Sequence, residues 1–93
     1  MYFITLLTGI EENREDRCIG YYNSFKKAND IVCNNTCDLW ETIYNYAVIE
    51  CIPEGLYPIR YREFWYKYNE KENIYTLIEK PEELEIFVNF ALG

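Results

Sequence analysis

Histidine is absent from this chain of 93 residues. Basic residues are also few: the chain has nine lysines and arginines and sixteen aspartates and glutamates, which gives a net charge of −7. Histidine is the commonest general base and a frequent zinc ligand, so its absence argues against catalysis and against a metal site. The lack of a basic patch argues against binding to duplex DNA or RNA through the phosphates. We therefore expect a non-enzymatic protein without a cofactor or metal.

The sequence also lacks a long apolar run. The apolar opening at residues 1–7 is short, has no basic leading region and ends at Thr8 and Gly9. A membrane-spanning helix needs about 20 apolar residues and a signal peptide needs a basic start, so neither is predicted. We expect a cytoplasmic protein with no membrane partner, whose four cysteines stay reduced.

Aromatic residues, in contrast, are abundant. They make up 18% of the chain, with ten tyrosines, five phenylalanines and two tryptophans, and the hydrophobic fraction reaches 49%. This composition predicts a single folded domain over residues 1–93. The rings exceed what the core of so short a chain can hide, so we expect some of them at an interface or around a pocket.

The stretch at residues 44–52 predicts the central strand. It is rich in β-branched and aromatic residues, and Pro53 and Gly55 end it. Alternation along a strand gives it two faces, both largely apolar, which predicts that both faces are covered. One face carries Tyr44, Tyr46, Val48, Glu50 and Ile52, and the other carries Asn45, Ala47, Ile49 and Cys51.

The remaining elements predict an α+β fold. Residues 2–8 and 18–22 indicate a hairpin joined by a charged loop at 11–17, and Gly20 indicates a bulge or a close backbone approach. Residues 63–69 and 74–79 indicate a second hairpin. Between the hairpins, an apolar stripe at helical spacing predicts the main helix; the stripe consists of Phe25, Ala28, Ile31 and Val32.

Two shorter helical segments complete the prediction. Residues 39–43 have the spacing of a capping box before a helical turn, and Pro81 followed by acidic residues predicts a short C-terminal helix at 82–88. Residues 89–93 then form either an edge strand or an ordered tail. The expected architecture is a mostly antiparallel sheet of about five strands, with one main helix on one face, in the order β-β-α-β-β-β-α.

The single main helix covers only one face of such a sheet. The other face needs the C-terminal helix, a folded-over hairpin, a second copy of the chain or a ligand. We expect a homo-oligomer on this ground. The alternative is a monomer in which the C-terminal helix is sufficient.

Candidate ligand-binding residues fall into three groups. The corner Tyr22-Asn23-Ser24 precedes the main helix, where free N–H groups attract anions; simple capping is the alternative. Arg60 and Arg62 point to the same side of an extended segment and would clamp a phosphate, unless they pair with acidic neighbours such as Glu63. The third group would form an aromatic wall, unless its rings serve packing; it consists of Trp40, Tyr46 and Trp65, with Tyr66 and Tyr68 beside them.

Several motifs together resemble a family of short acidic proteins, themselves uncharacterised, from Gram-positive bacteria and their phages. The resemblance is carried by the segments at 18–28, 44–50, 54–58, 64–67 and 78–84. It implies a protein of the host cytoplasm if the gene is phage-borne. Such phage families include small anti-defence proteins that sequester nucleotide signals in pockets between subunits.

The functional expectation combines these observations. The first hypothesis is a non-enzymatic protein that binds a small polar or nucleotide-like ligand, in the manner of an anti-defence protein that sequesters a nucleotide-derived immune signal. The alternative is an acidic protein-interaction module that inhibits a host protein partner by docking on it. Glu50 is the one acid predicted inside a strand; it is either a base with a raised pKa or an edge-exposed or paired glutamate.

Overall fold

The computed structural model describes residues 1–11, 13–35, 44–56, 62–82 and 90–91. This part of the chain forms a five-stranded sheet and one helix, which confirms the α+β class. The predicted helical turn at 39–43 and nearly all of the predicted C-terminal helix at 82–88 lie outside the described residues. In chain order the elements are β1 (Tyr2–Leu7), β2 (Asp16–Tyr22), α1 (Phe25–Cys33), β3 (Tyr46–Cys51), β4 (Arg62–Asn69) and β5 (Ile74–Ile78).

The sheet has the strand order β2-β1-β3-β4-β5, and every neighbouring pair is antiparallel. β3 is the third of the five strands, so the prediction of a central strand is confirmed. It is shorter than the predicted stretch at 44–52. The ladder nevertheless continues one residue before it, because the Tyr68 N–H donates to the Asn45 carbonyl at 2.8 Å.

The first hairpin contains the bulge that Gly20 predicts. Ile4 pairs with Gly20 and Thr5 pairs with Cys18, which leaves Ile19 as the extra residue on β2. Gly20 has φ +157°, a value that side-chain-bearing residues rarely adopt. β2 begins at Asp16, so the predicted loop at 11–17 is too long, because charged side chains on an edge strand remain in solvent while the backbone pairs.

Helix α1 covers one face of the sheet. The Ser24 side chain caps it by accepting the Lys27 N–H at 3.4 Å, and Asn35, in the left-handed region at φ +54°, follows its C-terminal end. Ala28 and Val32 are fully buried against the sheet. We call this side of the sheet the helix face; its buried residues are Ile4, Leu6, Tyr44, Ala47, Ile49, Tyr66 and Tyr75.

The opposite side of the sheet, which we call the second face, is also covered. Leu7, Val48 and Trp65 are fully buried there, and Phe90 packs against them. This confirms that both faces of β3 are buried. Residues 90–91 form a bend on the second face, where an edge strand was one of the two expectations.

Candidate functional site

Strand register brings two of the predicted ligand-binding segments to the same end of the sheet. Tyr22 pairs with Tyr2, Tyr2 pairs with Cys51, and Cys51 pairs with Arg62. Directly opposite residues project from the same face. Tyr22 and Arg62, far apart in the sequence, therefore lie on one row of the helix face, about 14 Å apart at the usual spacing of three strand intervals.

Aromatic rings connect the two ends of this row. The Phe25 ring, at the start of α1, lies 5.8 Å from the Tyr2 ring and 4.4 Å from the Phe64 ring. The Arg62 guanidinium lies 5.3 Å from the centre of the Phe64 ring, within cation–π range. The four rings are half-buried and Arg62 is exposed. We call Tyr2, Tyr22, Phe25, Phe64 and Arg62 the aromatic strip.

The Tyr2 hydroxyl adds a polar group to the aromatic strip. A hydrogen bond with the Cys51 thiol is the main cause that raises the pKa of Tyr2, and the nearby charge of Arg62 opposes this effect. The phenol is therefore protonated at neutral pH. The strip thus combines a cation, a hydroxyl and aromatic surface.

The corner that precedes α1 borders the aromatic strip through Tyr22. Asn23 is exposed, while the Ser24 hydroxyl is engaged in capping the helix. Lys26 in the first turn pairs with Asp30 at 2.8 Å. Asn23, next to the first free N–H groups of α1, therefore offers an exposed polar side chain to a ligand on the strip.

The other predicted ligand-binding residues lie elsewhere. Trp65 is 2% exposed on the second face, where its indole N–H donates to Glu63 at 3.2 Å. Tyr46 is half-buried on that face and borders a cavity of about 370 Å³ beside Lys67. Tyr66 and Tyr68 pack on the helix face, so these rings do not form one wall. Trp40 and Arg60 lie outside the described residues.

Glu50 forms the principal polar contact of the second face. Its side chain is fully buried, and its carboxylate accepts the Phe90 N–H on both oxygens at 2.9 Å and the Ala91 N–H at 2.9 Å. Glu50 is thus not edge-exposed, and the backbone N–H groups of Phe90 and Ala91 are among its hydrogen-bond donors. The sequence signal for it was an acid flanked on its own face by the apolar Val48 and Ile52.

Phe90 is held on the second face by its ring as well as by its N–H. The ring lies 5.4 Å from the Trp65 ring in an edge-to-face arrangement, and the Arg14 guanidinium lies 5.5 Å from its centre. Arg14 Nε in turn lies 3.0 Å from Asp16 Oδ1. We call the contacts of Glu50 with Phe90 and Ala91 the carboxylate anchor.

Other functional signatures are missing from the part of the chain that the structure describes. Among the described residues, no three cysteines, aspartates or glutamates lie close enough together to hold a metal ion. Within the same ranges, no helix has the length and apolar character needed to cross a membrane.

Comparison with known protein families, curated proteins and solved structures finds no match to this chain. The resemblance to short phage-borne proteins therefore stays a hypothesis. The functional argument consequently depends on the geometry of the chain itself.

Proposed function

We propose that the protein binds a small, anionic, nucleotide-like ligand at the aromatic strip, without catalysing a reaction. The observation that carries this proposal is that the exposed Arg62 guanidinium lies against the half-buried Phe64 ring, at one end of a row that also contains Tyr2 and Tyr22. Half-buried rings that touch one another at a surface are suited to stacking with a planar ligand.

Each part of the aromatic strip has a distinct role in this proposal. Arg62 binds a phosphate through paired N–H groups, while a base stacks near Tyr22 at the other end of the row. The Tyr2 hydroxyl lies between them and offers its oxygen as a hydrogen-bond acceptor. The separation of about 14 Å between Tyr22 and Arg62 accommodates a ligand with its charged and planar parts at opposite ends.

The biological role implied by the resemblance is sequestration of a nucleotide-derived immune signal by an anti-defence protein. That role requires tight binding without turnover, and it is compatible with a homo-oligomer. It predicts that cyclic dinucleotides or ADP-ribose-type compounds bind more tightly than ordinary mononucleotides.

The test is a binding titration of the purified protein against mononucleotides, cyclic dinucleotides and ADP-ribose, followed by calorimetry and thermal melting. A ligand at 100 times its Kd adds about 2.7 kcal/mol to the free energy of unfolding, which gives a clear melting shift. Arg62→Gln should weaken binding about tenfold or more, since a hydrogen bond to a charged group contributes about 1.5–3 kcal/mol.

The matched control is Lys71→Gln, which removes one exposed positive charge from the β4–β5 turn, at the opposite end of the sheet. Equal weakening by both substitutions would show a general charge effect and contradict a site at Arg62. Absence of binding across the whole panel would contradict the proposed ligand class.

An acidic protein-interaction module that inhibits a host protein is the second candidate function. Its supporting observation is that large apolar side chains are exposed on this acidic chain: Leu56 is 92% exposed and Tyr21 is 58% exposed. A pull-down with Leu56→Ser and Tyr21→Ser as the disabled form tests it. Under this alternative, Arg62→Gln leaves the interaction unchanged.

A further inference from the structure

The two edges of the described sheet differ in the features that prevent edge-to-edge pairing. β2, at one edge, begins with the charged Asp16 and Arg17 and contains the bulge at Ile19. β5, at the other edge, has the sequence Ile-Tyr-Thr-Leu-Ile, with no charged residue and no proline, and its register with β4 is regular. Charges and bulges are the usual protections of an edge, and β5 has neither.

The hydrogen-bond pattern shows which groups of β5 point outward. The Tyr68 N–H points toward β3, where it donates to Asn45. Because backbone groups alternate along a strand, the N–H and C=O groups of Asn69, Lys67 and Trp65 on β4 point toward β5. Their partners on β5, which are Ile74, Thr76 and Ile78, point back toward β4. The N–H and C=O of Leu77 therefore point away from β4, toward the outer edge.

The Leu77 side chain is also unusually exposed. It lies on the helix face, opposite the fully buried Tyr66, yet 65% of it remains in solvent. An exposed leucine in the middle of an uncharged edge strand combines an apolar contact with backbone hydrogen-bonding groups. This combination fits another β-strand better than it fits a soluble small molecule.

We propose that β5 pairs antiparallel with β5 of a second copy of this chain, about a twofold axis at Leu77. The two Leu77 residues then exchange a pair of backbone hydrogen bonds, and their side chains pack side by side. The two sheets become one continuous sheet. This interface is independent of the proposed ligand site, because the aromatic strip does not include β5.

The sequence of β5 itself favours a second copy as the occupant. β5 carries no charged residue, so pairing it with itself brings no like charges together along the strand, despite the net charge of −7. In this register Thr76 lies opposite the partner's Ile78, and the exposed Leu77 lies opposite the partner's Leu77.

The first test measures the mass of the full chain by light scattering over a range of concentrations. The expected mass is that of a dimer, and Leu77→Lys should reduce it to that of a monomer by placing two positive charges at the axis. Leu56→Lys, which adds the same charge at a more exposed leucine outside the strands, should leave the dimer intact. A monomeric native chain, or a dimer that persists in Leu77→Lys, would overturn the proposal.

The second test does not depend on disrupting the strand. Opposite Cα atoms in a hydrogen-bonded antiparallel pair are about 5.5 Å apart, a distance that suits a disulfide. Leu77→Cys, in a background with Cys18→Ser to remove the exposed thiol among the described cysteines, should oxidise to a covalent dimer linked through position 77. Leu56→Cys in the same background should show no such link in peptide mass mapping. A dimer that forms without a link through position 77 would rule out the proposed register.

Discussion

The two faces of the sheet are buried by different physical means. On the helix face, α1 places Ala28 and Val32 against a cluster of apolar and aromatic side chains. On the second face, the fully buried carboxylate of Glu50 holds the backbone of Phe90 and Ala91. The first means depends on apolar area, which many sequences provide, while the second adds a few directional hydrogen bonds to the apolar cluster of Leu7, Val48 and Trp65.

The difference has a consequence for how each face responds to change. Apolar packing loses stability gradually as side chains become smaller or larger. A buried carboxylate is costly without its donors, so the carboxylate anchor favours one position of the Phe90 and Ala91 backbone over all others. Glu63, directly opposite Glu50, pairs with Lys80 at 3.0 Å and accepts the Trp65 indole N–H.

The largest expected effect follows from breaking the carboxylate anchor with Glu50→Gln. The amide replaces one acceptor oxygen with a donor that faces the Phe90 N–H, so at least one hydrogen bond to a charged group is lost. We expect the free energy of unfolding to fall by about 1.5–3 kcal/mol. Urea unfolding measures the loss, and hydrogen exchange should show faster exchange at the Phe90 and Ala91 amides.

The control for this change is Glu54→Gln, which removes the same charge from an exposed residue just after β3. It should change stability by less than about 0.5 kcal/mol. Unchanged exchange at Phe90 in Glu50→Gln would show that the ring contacts with Trp65 and Arg14 hold the segment without the carboxylate. The contrast between the two faces would then disappear.

The sequence predicted the helix face more fully than the second face. The apolar stripe from Phe25 to Val32 and the alternation in residues 44–52 depend on local spacing, and both predicted the right element. The contact of Glu50 with Phe90 joins residues 40 positions apart, and backbone N–H groups leave no mark in side-chain patterns. The row from Tyr22 to Arg62 was missed for a related reason, since it depends on the register of four strands.

Tyr66→Phe sharpens the comparison on the helix face, where a buried hydroxyl makes a polar contact inside apolar packing. The Tyr66 hydroxyl donates to Asn29 Oδ1 at 2.6 Å, and its loss should cost about 1 kcal/mol at neutral pH. Burial also raises the pKa of Tyr66 well above its usual range. The folded state therefore retains this proton above pH ~10, where the unfolded state releases it, and stability falls as the pH rises further.

The readout that separates the Tyr66 hydroxyl from simple packing is the pH profile of urea unfolding in the alkaline range. Tyr66→Phe should show a shallower loss of stability above pH ~10 than the native chain. Tyr21→Phe, at a tyrosine that is 58% exposed on β2, serves as the matched control and should follow the native profile. A slope that is identical in Tyr66→Phe and the native chain would contradict the assignment.

The smallest expected effect concerns Asp16, at the margin of the second face. The Asp16 side chain is still 31% exposed, and its partial burial raises its pKa, while the charge of Arg14 opposes this shift without cancelling it. Because the folded state binds the proton more tightly, the contribution of Asp16 to stability is greatest in acid and declines as the pH rises through the raised pKa. Relative to Asp16→Asn, the native chain should therefore lose stability as the pH rises from strong acid through the raised pKa of Asp16. Paired urea titrations of the two proteins measure this difference, with the exposed Glu70→Gln as the control for net charge. A difference of the opposite sign would mean that the ion pair with Arg14 outweighs burial in setting the pKa of Asp16. Charge pairing would then stabilise the second face at its margin as well as at the carboxylate anchor.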